Sequence, residues 1–287
     1  MKREKSAKNY YFLETLKRLE KGVNARIGTI ILIVLVFCCV FAPLVAPYGQ
    51  NDMDLTAMCQ GPSLKHLCGT DNLGRDIFSR LLYGGRFSLA LGLASSVFGM
   101  VLSVILGSIA GYFGGKVENI IMRLMDIWAS LPGILLCILI STAFGAGFFN
   151  TILALSVSTL PGGVRTTRAQ ILKERSMEYL EAAESINCSK VKIMFGHLLP
   201  NVFSPMLVGC TMGIGNNIMM AATLSYIGLG VQPPTPEWGA MLADARSYIL
   251  VYPHMIIWPG IFIALTVFAI NLLGDALRDA LDPKLRS

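Results

Sequence analysis

Apolar residues in this chain come in long blocks rather than in the short alternations of strands. Five blocks stand out, at residues 27–47, 87–113, 127–143, 206–229 and 252–273. Each approaches or exceeds the run of about 20 apolar residues that lets an α-helix cross the hydrocarbon core of a bilayer. A sixth block at 148–164, FFNTILALSVSTLPGGV, is shorter and mixed with Ser, Thr and Gly. By hydropathy alone it reads either as a span or as a surface segment. The pattern predicts an all-α integral membrane protein.

The basic residues arbitrate the sixth block. With six transmembrane helices and a cytoplasmic N-terminus, 19 of the 24 lysines and arginines fall on inner segments, and only Lys65, Arg75, Arg80, Arg86 and Arg246 fall outside. Removing the fourth span would put Arg165, Arg168, Lys173, Arg175, Lys190 and Lys192 outside, or invert every later helix. Cytoplasmic loops hold the excess of Lys and Arg, so six spans with both termini inside are expected. The resulting organisation is a cytoplasmic segment at 1–26, a transmembrane domain at 27–274 and a cytoplasmic tail at 275–287. Within the domain lie an outer loop at 48–86 and a cytoplasmic loop at 165–200. Residues 6–21 suit either a helix lying on the inner leaflet, with lipid as its partner, or a solvated tail.

Composition sharpens this picture. Of 287 residues, 54% are hydrophobic and 15% charged, at a mean hydropathy of +0.59. Soluble domains carry about 25% charged residues, so a disordered chain and a soluble nucleic-acid binder are both excluded. The net charge of +6 is accounted for by cytoplasmic loops, without nucleic acid. The start of the chain is too long and polar to be a cleavable leader, so the first span is read as retained. The spans carry charge only at their ends, at Asp126 and Asp275, which argues against a proton-driven pump. No long-range repeat supports an inverted-repeat transporter. Gly107-x-x-x-Gly111, Gly111-x-x-x-Gly115 and Gly209-x-x-x-Gly213 read as close helix packing.

Rival chemistries find little support. GYFGGKV lacks the spacing and the hydroxyl of a nucleotide-binding loop. His66, His197 and His254 are scattered, and neither H-E-x-x-H nor G-x-S-x-G occurs. No C-x-x-C pair exists among the seven cysteines, and Cys38, Cys39, Cys137 and Cys210 lie in apolar runs. Cys59 and Cys68 share the outer loop; a disulfide between them is the weaker of two readings, free thiols the stronger. No metal site is expected. Asp71, Arg75, Asp76 and Arg80 read as a salt-bridged turn and helix start, ahead of a surface that receives another protein. Trp238 and Trp258 read as membrane-interface residues, the alternative being a surface helix that caps a pore. Met206, Met212, Met219 and Met220 suit either core packing or an adaptable path.

The cytoplasmic loop is the most informative stretch. RSMEYLEAAESINCSKVKIMFGHLLPN (175–201) predicts two short helices on the inner face. Ser176 is expected to cap the first and Ser189 the second, Asn187 to supply a left-handed stop, and Pro200 to end the pair. Leu180, Ile193, Phe195 and Leu198 are available for packing, while Ala182 and Ala183 leave room for a partner and Glu181 offers it a carboxylate. The loop resembles the EAA loop of bacterial ABC importer permeases. Glu181, Ala182 and Ala183 match its opening and Leu199 and Pro200 its end; Asn187 and His197 stand where Gly and Ile are usual. Asn tolerates the left-handed conformation that Gly would supply.

HLCGTDNLGRDIFSRLLYGGRFSL (66–89), LSYIGLGVQPPTPEWGAMLADARSYI (224–249) and NLLGDALRDALDPKLR (271–286) extend the resemblance to the C-type permeases of dipeptide, oligopeptide and nickel importers. What it implies is half of a translocation pore in the bacterial inner membrane, without chemistry of its own. The implied partners are a second homologous permease, two cytoplasmic ATP-binding subunits and an extracytoplasmic solute-binding protein. The resemblance places ATP and Mg on the ATPases and no cofactor on this chain. It implies di- or oligopeptide as the substrate, or nickel or a metal chelate as the alternative, and coupling through Glu181, Ala182, Ala183, Asn187, Leu199 and Pro200. A stand-alone secondary transporter is the reading from another class.

Overall fold

The computed structural model describes residues 22–281; the helix expected at 6–21 lies outside them. The described residues are helical almost throughout. Among the described residues the only β-type pairing is an isolated bridge between Thr70 and Asp76.

The first span, α1 (Val23–Val40), passes through a short α2 (Ala42–Val45) into the outer loop. Helix α3 (Ile77–Phe113) follows and begins well before the apolar block at 87. Its start is set by chemistry, because the Asp76 carboxylate accepts the backbone N–H of Ser79 at 2.7 Å, satisfying a free donor of the first turn. Gly114 and Gly115, at φ 64 and 54, break α3 from α4 (Gly115–Ala129).

The block at 127–143 is not one straight helix. It divides between the end of α4 and α5 (Gly133–Phe144), and the two helices meet at 90°. Pro132 explains the break, since it lacks an N–H and disfavours helical geometry at the preceding residue. Among the described residues four helical stretches are long and apolar enough to cross a membrane, and the bent pair is a fifth when its two helices are taken together as one span. The sixth block forms α6 (Phe148–Ser158), too short to cross alone, which runs through Thr159 into α7 (Leu160–Arg175). At 1.5 Å per residue, α6 and α7 together hold about 42 Å of helical path. Its second half is polar, which is why hydropathy registers it weakly.

Beyond α7 come α8 (Glu178–Ser185), α9 (Lys190–Ile193), a π-helical turn (Met194–Leu198) and α10 (Leu199–Tyr226). Helix α11 (Trp238–Ala245) lies in the second outer segment, and α12 (His254–Leu281) returns.

Helix α3 is the central member, packed against α1, α6, α7 and α10, while α12 packs on α10 and α1. The α3–α7 contact is made through small residues. A Cβ on Gly107 would come within 2.5 Å of the Thr167 Cβ, and one on Gly111 within 2.8 Å of the Ile171 side chain. Both glycines therefore pack as the spacing predicts. Gly115 and Gly209 each meet nothing within 4 Å, while a Cβ on Gly213 would lie 3.6 Å from Ser96 Oγ, so the second and third motifs pack at only one of their two glycines.

The outer loop closes over the start of α3 through a buried polar network. Arg75 Nε donates to Asp71 Oδ2 at 2.6 Å, and Arg80 Nε lies 3.7 Å from the same oxygen. His66 Nδ1 and Asp76 Oδ1 are 3.0 Å apart. These five side chains are buried, where charge must be paired. Gly74, at φ 73, is obligatory, because a Cβ there would overlap the Asp54 carbonyl. Asp71, Arg75, Asp76 and Arg80 thus form a salt-bridged turn and helix start.

Trp238 corrects an expectation. It is fully buried rather than interfacial, with Nε1 donating to the Leu81 carbonyl at 2.9 Å. Its neighbour Glu237 caps α11 and accepts a bond from Ser88 Oγ at 2.9 Å. The tryptophan fills the gap between α3, α11 and α12, next to Ile77, Leu81 and Met241. Cys59 and Cys68 are both free thiols.

Candidate coupling surface and transport path

Of the 165–200 stretch, residues 165–175 belong to α7, and the part beyond folds into a hairpin against the C-terminal ends of α3 and α7 and the start of α10. Its underside is apolar: Leu180, Ile193 and Leu198 pack with Tyr112, Ile171, Val202 and Met206. Phe195, expected in this layer, points outward and is 65% exposed. The α9–π–α10 path rotates it away from the cluster that holds Leu198.

Several polar bonds fasten the hairpin. Tyr179 Oη donates to Glu174 Oε2 at 2.7 Å and accepts from Asn201 Nδ2 at 2.8 Å. One phenol therefore joins the end of α7, the start of α8 and the start of α10. Burial, followed by the bond to Glu174, holds the Tyr179 pKa above its ordinary value. Arg175 donates to the Tyr112 carbonyl at 3.1 Å and lies over the Tyr112 ring. Helix α4 is tied to α7 by an ion pair of Arg165 with Asp126 at 2.8 Å and another of Arg168 with Glu118.

The expected coupling residues occupy this hairpin. Glu181 and Ala182 are exposed on α8, and Ala183 follows in the same helix. Asn187 has φ 57, the left-handed geometry expected of it, and turns the chain towards α9. Leu199 and Pro200 open α10 at the far end of the hairpin.

Two capping expectations fare differently. Ser189 Oγ lies 3.4 Å from the Lys192 N–H, in the expected cap position. Ser176 instead donates back to the Lys173 carbonyl at 2.8 Å, closing α7 rather than starting α8. Pro200 does not end the helical path. The chain widens into the π-turn immediately before it, where the Leu199 N–H bonds to the Met194 carbonyl; such a bulge accommodates a residue that cannot complete the ordinary ladder. His197 is half-buried in the same turn. The anchors Tyr179, Glu174 and Asn201 were not singled out from the sequence. Tyr179 and Asn201 are 22 positions apart, and only folding brings them together.

Towards the membrane interior, α10 borders two cavities. One, of about 290 Å³, lies between α3, α7 and α10 and is lined by Ser96, Ser103, Thr159, Thr166, Asn216 and Asn217 among others. The other, of about 610 Å³, is more apolar and lies between α10, α11 and α12. Met206 is buried in the layer beneath the hairpin, whereas Met219 is exposed on the second cavity. Met206 also borders the smaller cavity.

Residues 103–287 match the family described as binding-protein-dependent transport system inner membrane component. The chain belongs to this family. Residues 11–62 of the permease also match the N-terminal TM domain of oligopeptide transport permease C. The permease is 44% identical over 266 residues to the di/tripeptide transport system permease protein DppC of Pseudomonas aeruginosa, covering 91% of this chain and 88% of that protein. It is 43% identical over 288 residues to the glutathione transport system permease protein GsiD of Pectobacterium atrosepticum, covering 99% and 95%.

Its fold is that of a chain of the inward-facing MetNI methionine ABC transporter, at a TM-score of 0.59 and 18% identity over 71% of this chain and 97% of that one. At that identity the likeness concerns fold alone. The protein is thus a multi-pass inner-membrane permease of an ATP-driven importer. ATPase and binding-protein partners follow in general terms from that membership. The stand-alone transporter reading is set aside, and nickel is not favoured, since the relatives named here are peptide and glutathione permeases.

Proposed function

We propose that this permease carries short peptides, of the di- or tripeptide or glutathione class, and forms half of the pore with a second, homologous permease. Two cytoplasmic ATPases, with their ATP and Mg, dock on the α8–α9 hairpin, and an extracytoplasmic binding protein delivers the substrate. The chain performs no covalent chemistry. Its six spans leave both termini in the cytoplasm, with the α6–α7 pair as the fourth.

The observation that carries the coupling role is the hairpin itself: Glu181 and Ala182 are exposed on a helix whose other side is anchored by Leu180 and Tyr179. A rigidly seated helix with a free outer face can receive a push and pass it to α7 and α10, as rigid-body switching requires.

The test uses the complete importer in liposomes, with ATP on the ATPase side and radiolabelled Ala-Ala, Ala-Ala-Ala or glutathione on the other. Uptake should require ATP and the binding protein. The double variant Glu181→Arg, Ala182→Glu should abolish uptake and binding-protein stimulation of the ATPase. Unchanged uptake and stimulation in that variant would refute the coupling role.

A further inference from the structure

The two cavities beside α10 share one feature that packing does not explain. Asn216, on the smaller cavity, and Asn271, on the larger, both have exposed side chains. Among the described residues neither carboxamide makes a hydrogen bond, whereas the adjacent Asn217 is buried and donates to Ser96 Oγ at 2.9 Å. The hydroxyls facing the smaller cavity include Thr159 and Thr166, which are spent on carbonyls of their own helices.

The two asparagines belong to one surface. Asn216 lies three positions before Met219 on α10, and Met219 lines the larger cavity together with Asn271. Gly209, Asn216, Met219, Thr223 and Tyr226 are all exposed. Their spacing of three, four and seven residues places them along one side of α10. Asn216 falls near the middle of α10 and Asn271 in the inner part of α12. An amide facing hydrocarbon without a partner is strongly disfavoured, and polar groups at membrane depth occur where they meet protein or a water-filled cavity. The α1 surface shows the contrast, since Ile30, Ile33, Val34 and Phe37 are exposed there and suit lipid.

We propose that Asn216 and Asn271 form the substrate-contacting part of the translocation path on this subunit, where their carboxamides pair with the backbone amides of a passing peptide. This rests on the peptide-import reading above. The chemistry suits that ligand: a carboxamide has both donors and an acceptor, as a peptide unit does. No Asp, Glu, Lys, Arg or His lines either cavity, so this part of the path offers a peptide polar groups without side-chain charge.

The experiment has two arms, both on the complete importer in liposomes. In the first, Asn216→Cys and Asn271→Cys are treated with a water-soluble maleimide, the modified site is read by mass spectrometry, and Ile33→Cys serves as the lipid-facing control. The asparagine sites should label, Ile33→Cys should not, and saturating Ala-Ala with its binding protein should slow labelling by about tenfold, as for a site mostly occupied. In the second arm, Asn216→Leu with Asn271→Leu should cut Ala-Ala uptake by about tenfold, the worth of one or two hydrogen bonds, and the Gln pair should restore much of it.

Failure of both asparagine sites to label would show that the sister permease covers this face and would overturn the proposal. Labelling unaffected by peptide, in an importer that transports it, would overturn it too. An importer that moves no peptide at all would instead sink the substrate reading, while solvent labelling would still report whether the face lines a path.

Discussion

Tyr179 donates its hydroxyl to Glu174 Oε2 at 2.7 Å, across the turn between α7 and α8. The Tyr179 hydroxyl oxygen in turn accepts from Asn201 Nδ2 at the foot of α10. A single side chain therefore fixes the attitude of the hairpin relative to two helices that border the cavities. Tyr179→Phe keeps the ring and removes both bonds. The ring is partly exposed, so the loss is about 0.5–1 kcal/mol. Hydrogen exchange across 178–186 should accelerate about two- to fivefold, with the melting temperature of the whole protein little changed.

The same phenol carries a pH dependence. Its pKa is raised in the folded protein by burial and by Glu174, so the neutral form is the one stabilised. The contribution is complete below the unfolded tyrosine value of about 10 and is lost as pH rises through the higher folded value. Protection of 178–186 should be level from pH 7 to about 10 and fall above it in the native protein, with that fall absent in Tyr179→Phe.

The α3–α7 seam should tolerate no side chain at Gly107. A Cβ there meets the Thr167 Cβ at 2.5 Å and the Val164 carbonyl at 2.8 Å, so helix separation is the only relief. Gly107→Val should lower stability in detergent by about 1–3 kcal/mol, read as a loss of thermal stability. Gly209→Ala, where nothing lies within 4 Å, should be near neutral.

Arg168 and Glu118 tie α4 to α7 through a partly buried pair. Arg168→Glu places two carboxylates together and should cost about 1–2 kcal/mol, more than an exposed pair because the site is only partly solvated. Adding Glu118→Arg should recover at least half of the loss. A double-mutant cycle measured by thermal unfolding provides the check.

Cys68 should resist alkylation in the folded protein. It is buried, and burial with the nearby Asp76 carboxylate pushes its thiol up to about 12. At pH 8 the thiolate fraction is on the order of 10⁻⁴. Iodoacetamide should leave Cys68 unmodified until denaturant is added, and prior treatment with reductant should make no difference.

Membrane class, the charge balance that motivates six spans, and the family resemblance were legible from the sequence because each depends on local composition or short spacing. A block of apolar residues must find hydrocarbon or protein whatever its neighbours are, and basic residues accumulate on one side by a rule that ignores tertiary contacts. The left-handed Asn187 was legible for the same reason, since few other residues adopt that conformation readily. Gly107 and Gly111 were visible as a motif, though not the helix they would meet.

Tertiary structure decided what depended on distant neighbours. Trp238 is apolar with one donor, and either an interface or a core satisfies it; the Leu81 carbonyl, 157 positions away, settles the matter. Asp76 reads as half of an ion pair, but its cap on Ser79 starts α3 ten residues before the apolar block. Tyr179 becomes an anchor only when Glu174 and Asn201 converge on it, and Asn216 becomes conspicuous only because its neighbour Asn217 finds Ser96 while it finds nothing among the described residues. Hydropathy and propensity are sums over nearby residues. A hydrogen bond between residues more than a hundred positions apart depends on how the helices cross, and only the folded packing determines that.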